Sequence, residues 1–340
     1  MRTLFFLTFI FCTTFFSYSQ VVKGVNARLF SIVEKKDTIY FLKTDTCLIQ
    51  KKPTIIFCQG SLPIPLIINL GKEKFIPALN NFNYLKLSEK YNFIVISMPH
   101  TPPGVDKEKL NNRYEYVPNV KQENKFDSLY LRDNYKENYV ERANCVIRFL
   151  KRQKWVDKKN IIVYGHSQGS FIAIELAKQN RLIRALGYSG NNPLGRFSMY
   201  IRQQSRDLIA NIITAEEAQK ETEGYYDIWK SYCRGINPKG DNADRAKTWT
   251  SFSKPILNDL IQLKTPVFIA YGTEDLESSE GSELLPIYFE NEGKTNYKLM
   301  PWVGCGHNFE EISPEGVSNY DKMHWDEVMN GFVDWFEKLR

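Results

Sequence analysis

Short apolar blocks separated by amphipathic stretches set the rhythm of the chain. Thr54–Cys58, Phe93–Met98, Ile161–Tyr164, Ile183–Tyr188 and Pro266–Tyr271 are nearly continuous runs of β-prone residues, the pattern of strands buried on both faces of a sheet. Tyr297–Met300 reads as one more strand. Upstream, Leu29–Val33 and Thr38–Leu42 flank Glu34-Lys35-Lys36-Asp37 and predict a hairpin with a polar turn. Helical spacing fills the gaps between strands. It predicts a helix over Ala78–Lys90 and another over Asn138–Gln153, where Val140, Ala143, Val146, Ile147 and Leu150 share a face. A third closes the chain through Val328, Met329, Phe332, Val333 and Phe336. Strands alternating with helices imply an α/β fold, a mostly parallel sheet with helices on both faces.

Two segments break the alternation. From His100 to Tyr135 the periodicity is lost in polar, tyrosine-rich sequence, which predicts a long loop. Residues 191–261 are helical and rich in aromatics, among them Phe197, Tyr200, Trp229 and Trp249. They read as an insertion over the carboxyl edge of the sheet, with the aromatics packing it onto the body.

Residues 1–19 differ from everything after them. Arg2 precedes an apolar run from Leu4 to Phe16, and Ser17-Tyr18-Ser19 supplies small residues before Gln20. That is the layout of a secretory signal peptide, with 20–340 as the mature domain. It predicts a periplasmic or extracellular bacterial protein with no stable membrane insertion once the leader is removed. Five cysteines remain beyond Cys12, at 47, 58, 145, 233 and 305, without the spacing of a disulfide framework or a zinc motif. The net charge of +6 is distributed along the sequence rather than gathered into runs. It reads as a solvated surface and not as a nucleic-acid groove.

The chemistry centres on Gly165-His166-Ser167-Gln168-Gly169, directly after the Ile161–Tyr164 run and directly before a helical pattern. Strand, Gly-x-Ser-x-Gly and helix in that order are what a nucleophile elbow requires. A serine hydroxyl needs a base, normally a histidine oriented by a carboxylate. The chain has four histidines. His307 follows the last predicted strand and is the candidate base. His100 also follows a strand and is a candidate pocket residue. His166 sits within the elbow with its side chain turned away from Ser167, and His324 precedes the final helix. Asp275, in Tyr271-Gly272-Thr273-Glu274-Asp275, is the candidate acid, with Glu274 its adjacent rival.

Gly165–Gly169, Tyr271–Asp275 and Gly306-His307-Asn308-Phe309 together resemble the α/β-hydrolase superfamily over essentially the whole mature chain. The resemblance implies an eight-stranded sheet, a Ser167–Asp275–His307 triad and a helical cap at 191–261. Gln59-Gly60-Ser61-Leu62-Pro63 stands where many members have His-Gly-x-x-Pro. Carried over, the oxyanion donors are the backbone N–H groups of Ser61 and Gln168, with Gln59 a departure from the family's histidine. Gln59, Gly60, His100 and Trp302 complete the expected pocket. The expected activity is cofactor-free, metal-free hydrolysis of a carboxylic ester, with a small or short acyl substrate. A serine peptidase or aminopeptidase is the enzymatic alternative, with Glu216, Glu217 and Glu221 available to hold an amino terminus. A non-catalytic binding protein is the alternative of another class.

Overall fold

The computed structural model describes residues 17–340 except 35–36, 124, 241–243 and 277. Most of the leader expected at 1–19 lies outside the described residues. Nine strands form the main sheet: β1 (Ser17–Val22), β2 (Ala27–Glu34), β3 (Asp37–Thr44), β4 (Lys52–Cys58), β5 (Asn92–Ile96), β6 (Val156–His166), β7 (Ile183–Ser189), β8 (Val267–Gly272) and β9 (Tyr297–Trp302). Their spatial order is β1-β2-β3-β5-β4-β6-β7-β8-β9. The first three strands are antiparallel, and β3 runs antiparallel to β5. From β5 to β9 every pairing is parallel. Eight of the nine correspond to the expected sheet. The ninth, β1, adds an edge strand that begins within the residues read as the leader's end.

The uninterrupted apolar runs have a direct cause. Ile56, Val163, Leu186 and Ile269 face one apolar cluster, shared with α1 (Lys136–Leu150) and α2 (Gln168–Gln179). Their strand neighbours Ile55, Ile162, Tyr164 and Phe268 face a second cluster. Successive side chains point to opposite faces of a strand, so a sheet covered on both sides leaves few positions for a polar residue. Each such side chain contributes about 1.5–3 kcal/mol by leaving water.

The stretch expected as an insertion contains α3 (Arg196–Ile209), α4 (Ala215–Cys233) and α5 (Ala246–Phe252), followed by a short helix, Leu257–Gln262. Its aromatics pack mainly on one another: Phe197 against Trp229 at 4.9 Å between centroids, Tyr200 on Tyr225 at 5.2 Å, and Tyr232 on Trp249 at 5.5 Å. Phe252 carries the block onto the body, meeting Tyr139 of α1 and Phe171 of α2. The chain ends in α6 (Trp325–Glu337), which covers the second face of the sheet.

Three expectations are corrected. The helix read over 78–90 is a 3-10 turn at Pro77–Leu79 and a short helix at Tyr84–Ser88. Asn83 breaks the run, because its side chain accepts the Lys86 N–H and starts a new helix there. The 100–135 stretch is not a bare loop. Gly104–Asp106 pairs with Ile67–Leu70, and Asp127 caps a helix at Ser128–Asp133. Elements of three to six residues are too short to show a period. Finally, β6 begins at Val156 rather than Ile161, because its first half is polar and half-exposed at the amino edge of the sheet.

Candidate active site

At the end of β6 the chain turns into α2 within one residue. Ser167 takes φ 54° and ψ −128°, a region that costs a non-glycine residue roughly 1–3 kcal/mol. The surroundings hold it there. Its N–H donates to Ser189 O at 3.0 Å. The Ser170 hydroxyl is 2.8 Å from Gly165 O and 2.7 Å from Ser189 O. The flanking glycines are required by contact. A Cβ on Gly165 would lie 2.4 Å from Gly169 O, and one on Gly169 would lie 1.9 Å from Cys58 O. Strand, elbow and the β4 loop therefore touch backbone to backbone. Gln168 is the first residue of α2, so its N–H has no intrahelical acceptor and faces the helix's electropositive end.

Asp275 and His307 meet across two loops. His307 Nδ1 is 2.9 Å from Asp275 Oδ2. The carboxylate is only 6% exposed. It also accepts the Ser279 hydroxyl at 2.7 Å and the Ser278 N–H at 3.1 Å. Burial pushes the Asp275 carboxyl up. The hydrogen bond and charge of His307, with the donors from Ser279 and Ser278, overcome that and hold it below the usual carboxylate range. Glu274 is exposed, and its backbone N–H is taken by Cys305 O. The loops are pinned to each other, since Gly304 N–H donates to Thr273 Oγ1 at 2.9 Å. Buried Glu310 fixes the His307 loop from behind, accepting the Asn308 N–H at 2.7 Å.

Ser167 and His307 line one cavity of about 240 Å³, together with Gln59, Gly60 and Ser61. Ile64, Pro77, Ala78 and Trp325 give it an apolar wall. Among the described residues no carboxylate lines it, and neither does any residue of 191–261. Gly60 lies beside the serine, where an added Cβ would be 3.7 Å from Ser167 Cβ. Gln59, standing where the family has histidine, donates from Nε2 to Ile96 O at 3.3 Å and so ties the loop to β5. His166 also reaches the cavity wall, with Nδ1 3.0 Å from Ser189 Oγ. Burial, reinforced by the charge of nearby His307, drives the His166 pKa down to about 3, so the ring stays neutral.

Two expected pocket residues lie elsewhere. His100 has φ 53° and turns to Asp133, with Nε2 2.6 Å from Oδ2, in a separate cleft beside Arg132 and Arg142. Trp302 closes β9 opposite Gly272 and stacks on His324 at 5.4 Å, outside the cavity lining. Ser189, Ser279, Glu310 and Trp325 were missed by sequence reasoning. Only Ser189 carried a signal, as the residue directly after a predicted strand. Among the described residues no three His, Cys, Asp or Glu side chains are placed to hold a metal ion, and no helix is long and apolar enough to cross a membrane.

No family model and no curated protein matches this sequence. Solved structures do. A cold-adapted esterase from an Arctic intertidal metagenomic library superposes with a TM-score of 0.51 at 11% identity, over 96% of this chain and 98% of its own. The chain folds as an α/β-hydrolase. An acetyl xylan esterase from Paenibacillus sp. R4 shares this fold at a TM-score of 0.51 and 14% identity, over 94% of this chain and 89% of its own. The acylaminoacyl peptidase of Pyrococcus horikoshii matches at a TM-score of 0.53 and 15% identity, over 93% of this chain. This chain spans only 42% of that peptidase's length. At such identities the likeness is one of fold.

Proposed function

We propose that this protein is an exported serine hydrolase that cleaves a carboxylic ester carrying a short acyl group. The observation that carries the reading is the 2.9 Å approach of Asp275 to His307, with His307 sharing one cavity with the strained Ser167. In this reading Ser167 Oγ attacks the carbonyl carbon as His307 Nε2 takes its proton. Asp275 holds the imidazole tautomer and stabilises the imidazolium. The N–H groups of Ser61 and Gln168 receive the developing oxyanion. His307 returns the proton to the leaving alcohol, leaving an acyl-enzyme. A water then gives up its proton to His307 and attacks the acyl carbon; His307 passes that proton to Ser167 Oγ as the acyl bond breaks, releasing the carboxylic acid.

Two observations favour an ester over a peptide. Among the described residues no carboxylate lines the cavity to hold an amino terminus. Glu217, one of three acids available for that task, is occupied in the capping box of α4 with Thr214. The small cavity supports a short acyl group. Export rests on the residue pattern of 1–19 alone.

An active-site-directed fluorophosphonate tests the hydrolase reading. The protein is expected to label, and Ser167→Ala to abolish labelling without loss of fold. A well-folded protein that never labels would leave a binding protein as the reading. p-Nitrophenyl acetate and butyrate beside aminoacyl-anilides then separate esterase from peptidase. The mass of the protein recovered from a secreting host tests export, with Gln20 as the expected first residue.

A further inference from the structure

The edge of the sheet opposite Ser167 carries a feature that the hydrolase reading does not use. Two cavities of about 980 and 660 Å³ lie there as one grooved region, adjoining at Arg181, Arg184 and Pro266, which line both. Its walls hold seven cations and two carboxylates, a net of +5 against +6 for the whole chain. Both carboxylates are already paired, Asp259 with Lys178 and Glu337 with Arg340. The other five cations, Lys158, Lys159, Arg181, Arg184 and Lys264, are exposed and form no ion pair with a described carboxylate.

The topology arranges them in a row. Lys158 and Lys159 lie in the first half of β6, Arg181 and Arg184 at the start of β7, and Lys264 just ahead of β8. These are consecutive neighbours in the sheet, each about 4.8 Å from the next. A small anion is held by cations that converge on a point. A row that spans two adjoining cavities suits a chain with repeated negative charges.

We infer that this groove binds an acidic polysaccharide, a chain bearing carboxylate or sulfate groups at regular intervals. Single-stranded nucleic acid is disfavoured because the only aromatic ring among the lining residues, Phe336, is buried and offers no surface for base stacking; duplex DNA, which is held through its phosphates without stacking, is separated by the test. Insertion into a lipid surface is disfavoured because Leu339 is the only large exposed apolar side chain among the lining residues. The groove lies at the amino edge of the strands and Ser167 at their carboxyl edge, so the polymer leaves the reactive cavity open. The inference does not depend on the chemistry proposed for Ser167.

The test measures binding of the full chain to polygalacturonate and to heparin in 150 mM NaCl, with duplex DNA, single-stranded DNA and phosphatidylserine vesicles as parallel arms. The triple variant Arg181→Gln/Arg184→Gln/Lys264→Gln is expected to bind at least one polysaccharide tenfold or more weakly. The control Lys72→Gln/Lys121→Gln/Lys220→Gln removes the same charge elsewhere and is expected to stay within twofold. Should the triple variant not fold, Arg184→Gln alone is expected to weaken binding two- to threefold. Equal losses in both triple variants, no binding of either polysaccharide by the unmodified protein, or tighter binding of DNA or vesicles than of both polysaccharides would overturn the inference.

Discussion

The two edges of one sheet differ in how tightly their residues are held. At the carboxyl edge a cavity of about 240 Å³ is framed by residues fixed by buried hydrogen bonds, backbone-to-backbone contact and a strained Ser167. At the amino edge cavities of about 980 and 660 Å³ are framed by arginines and lysines, five of which are exposed and form no ion pair with a described carboxylate. Volume is therefore a poor guide to chemistry in this molecule. The acyl transfer proposed for the first edge needs atoms positioned to fractions of an ångström. The polyanion binding inferred for the second needs only charge, delivered by side chains free to follow it.

The largest expected effects fall at the carboxyl edge. Ser167→Ala should lower ester turnover by at least about 10⁴-fold while leaving the urea midpoint near that of the parent. Asp275→Asn should lower kcat by about 10⁴-fold, since an amide no longer fixes the His307 tautomer. A loss below tenfold would mean the carboxylate only packs. Gly169→Ala should cost about 4 kcal/mol or prevent folding, because its Cβ has no room beside Cys58 O. Gly224→Ala, in the middle of α4 with nothing within 4 Å, should instead stabilise by about 1 kcal/mol.

His166 sharpens the comparison through pH. Its pKa of about 3 in the folded chain lies below the roughly 6.5 of an unfolded histidine. Between those values the unfolded chain binds a proton that the folded chain refuses. Stability is therefore full above about pH 6.5 and falls on acidification, by up to about 1.4 kcal/mol per pH unit. The depressed Asp275 carboxyl adds loss of the same sign lower in the range. Urea unfolding between pH 7 and 4 should show a slope about 1 kcal/mol per unit shallower in His166→Asn. The smallest effects belong to the amino edge, where Arg181→Gln, Arg184→Gln and Lys264→Gln should each change stability by less than about 0.5 kcal/mol and leave ester turnover unchanged. A larger cost there would mean that the groove is built, not merely charged.

What could be read in advance follows the range of the forces involved. The elbow was legible because strand, Gly-x-Ser-x-Gly and helix lie within some twenty consecutive residues, and its steric demand is local. Asp275 and His307 were legible as residues just past strand ends. His100 satisfied the same rule, yet its φ of 53° sends it to Asp133, a partner 33 positions away that no local pattern reveals. Trp302 misled similarly, because pairing of β9 with β8 aims its ring at His324. The basic groove left no trace in the charge pattern, since its cations come from residues around 158, 181, 264 and 340.

By itself, the sequence determined the alternation of strands and helices, the chemical character of the serine turn and the presence of an acid and a base at strand ends. Burial and steric fit write those features into adjacent residues. Tertiary structure alone decided which carboxylate meets which imidazole, what walls the cavity, and where scattered positive charge collects. Those outcomes depend on distances between segments far apart in the chain, and only the packed sheet sets such distances.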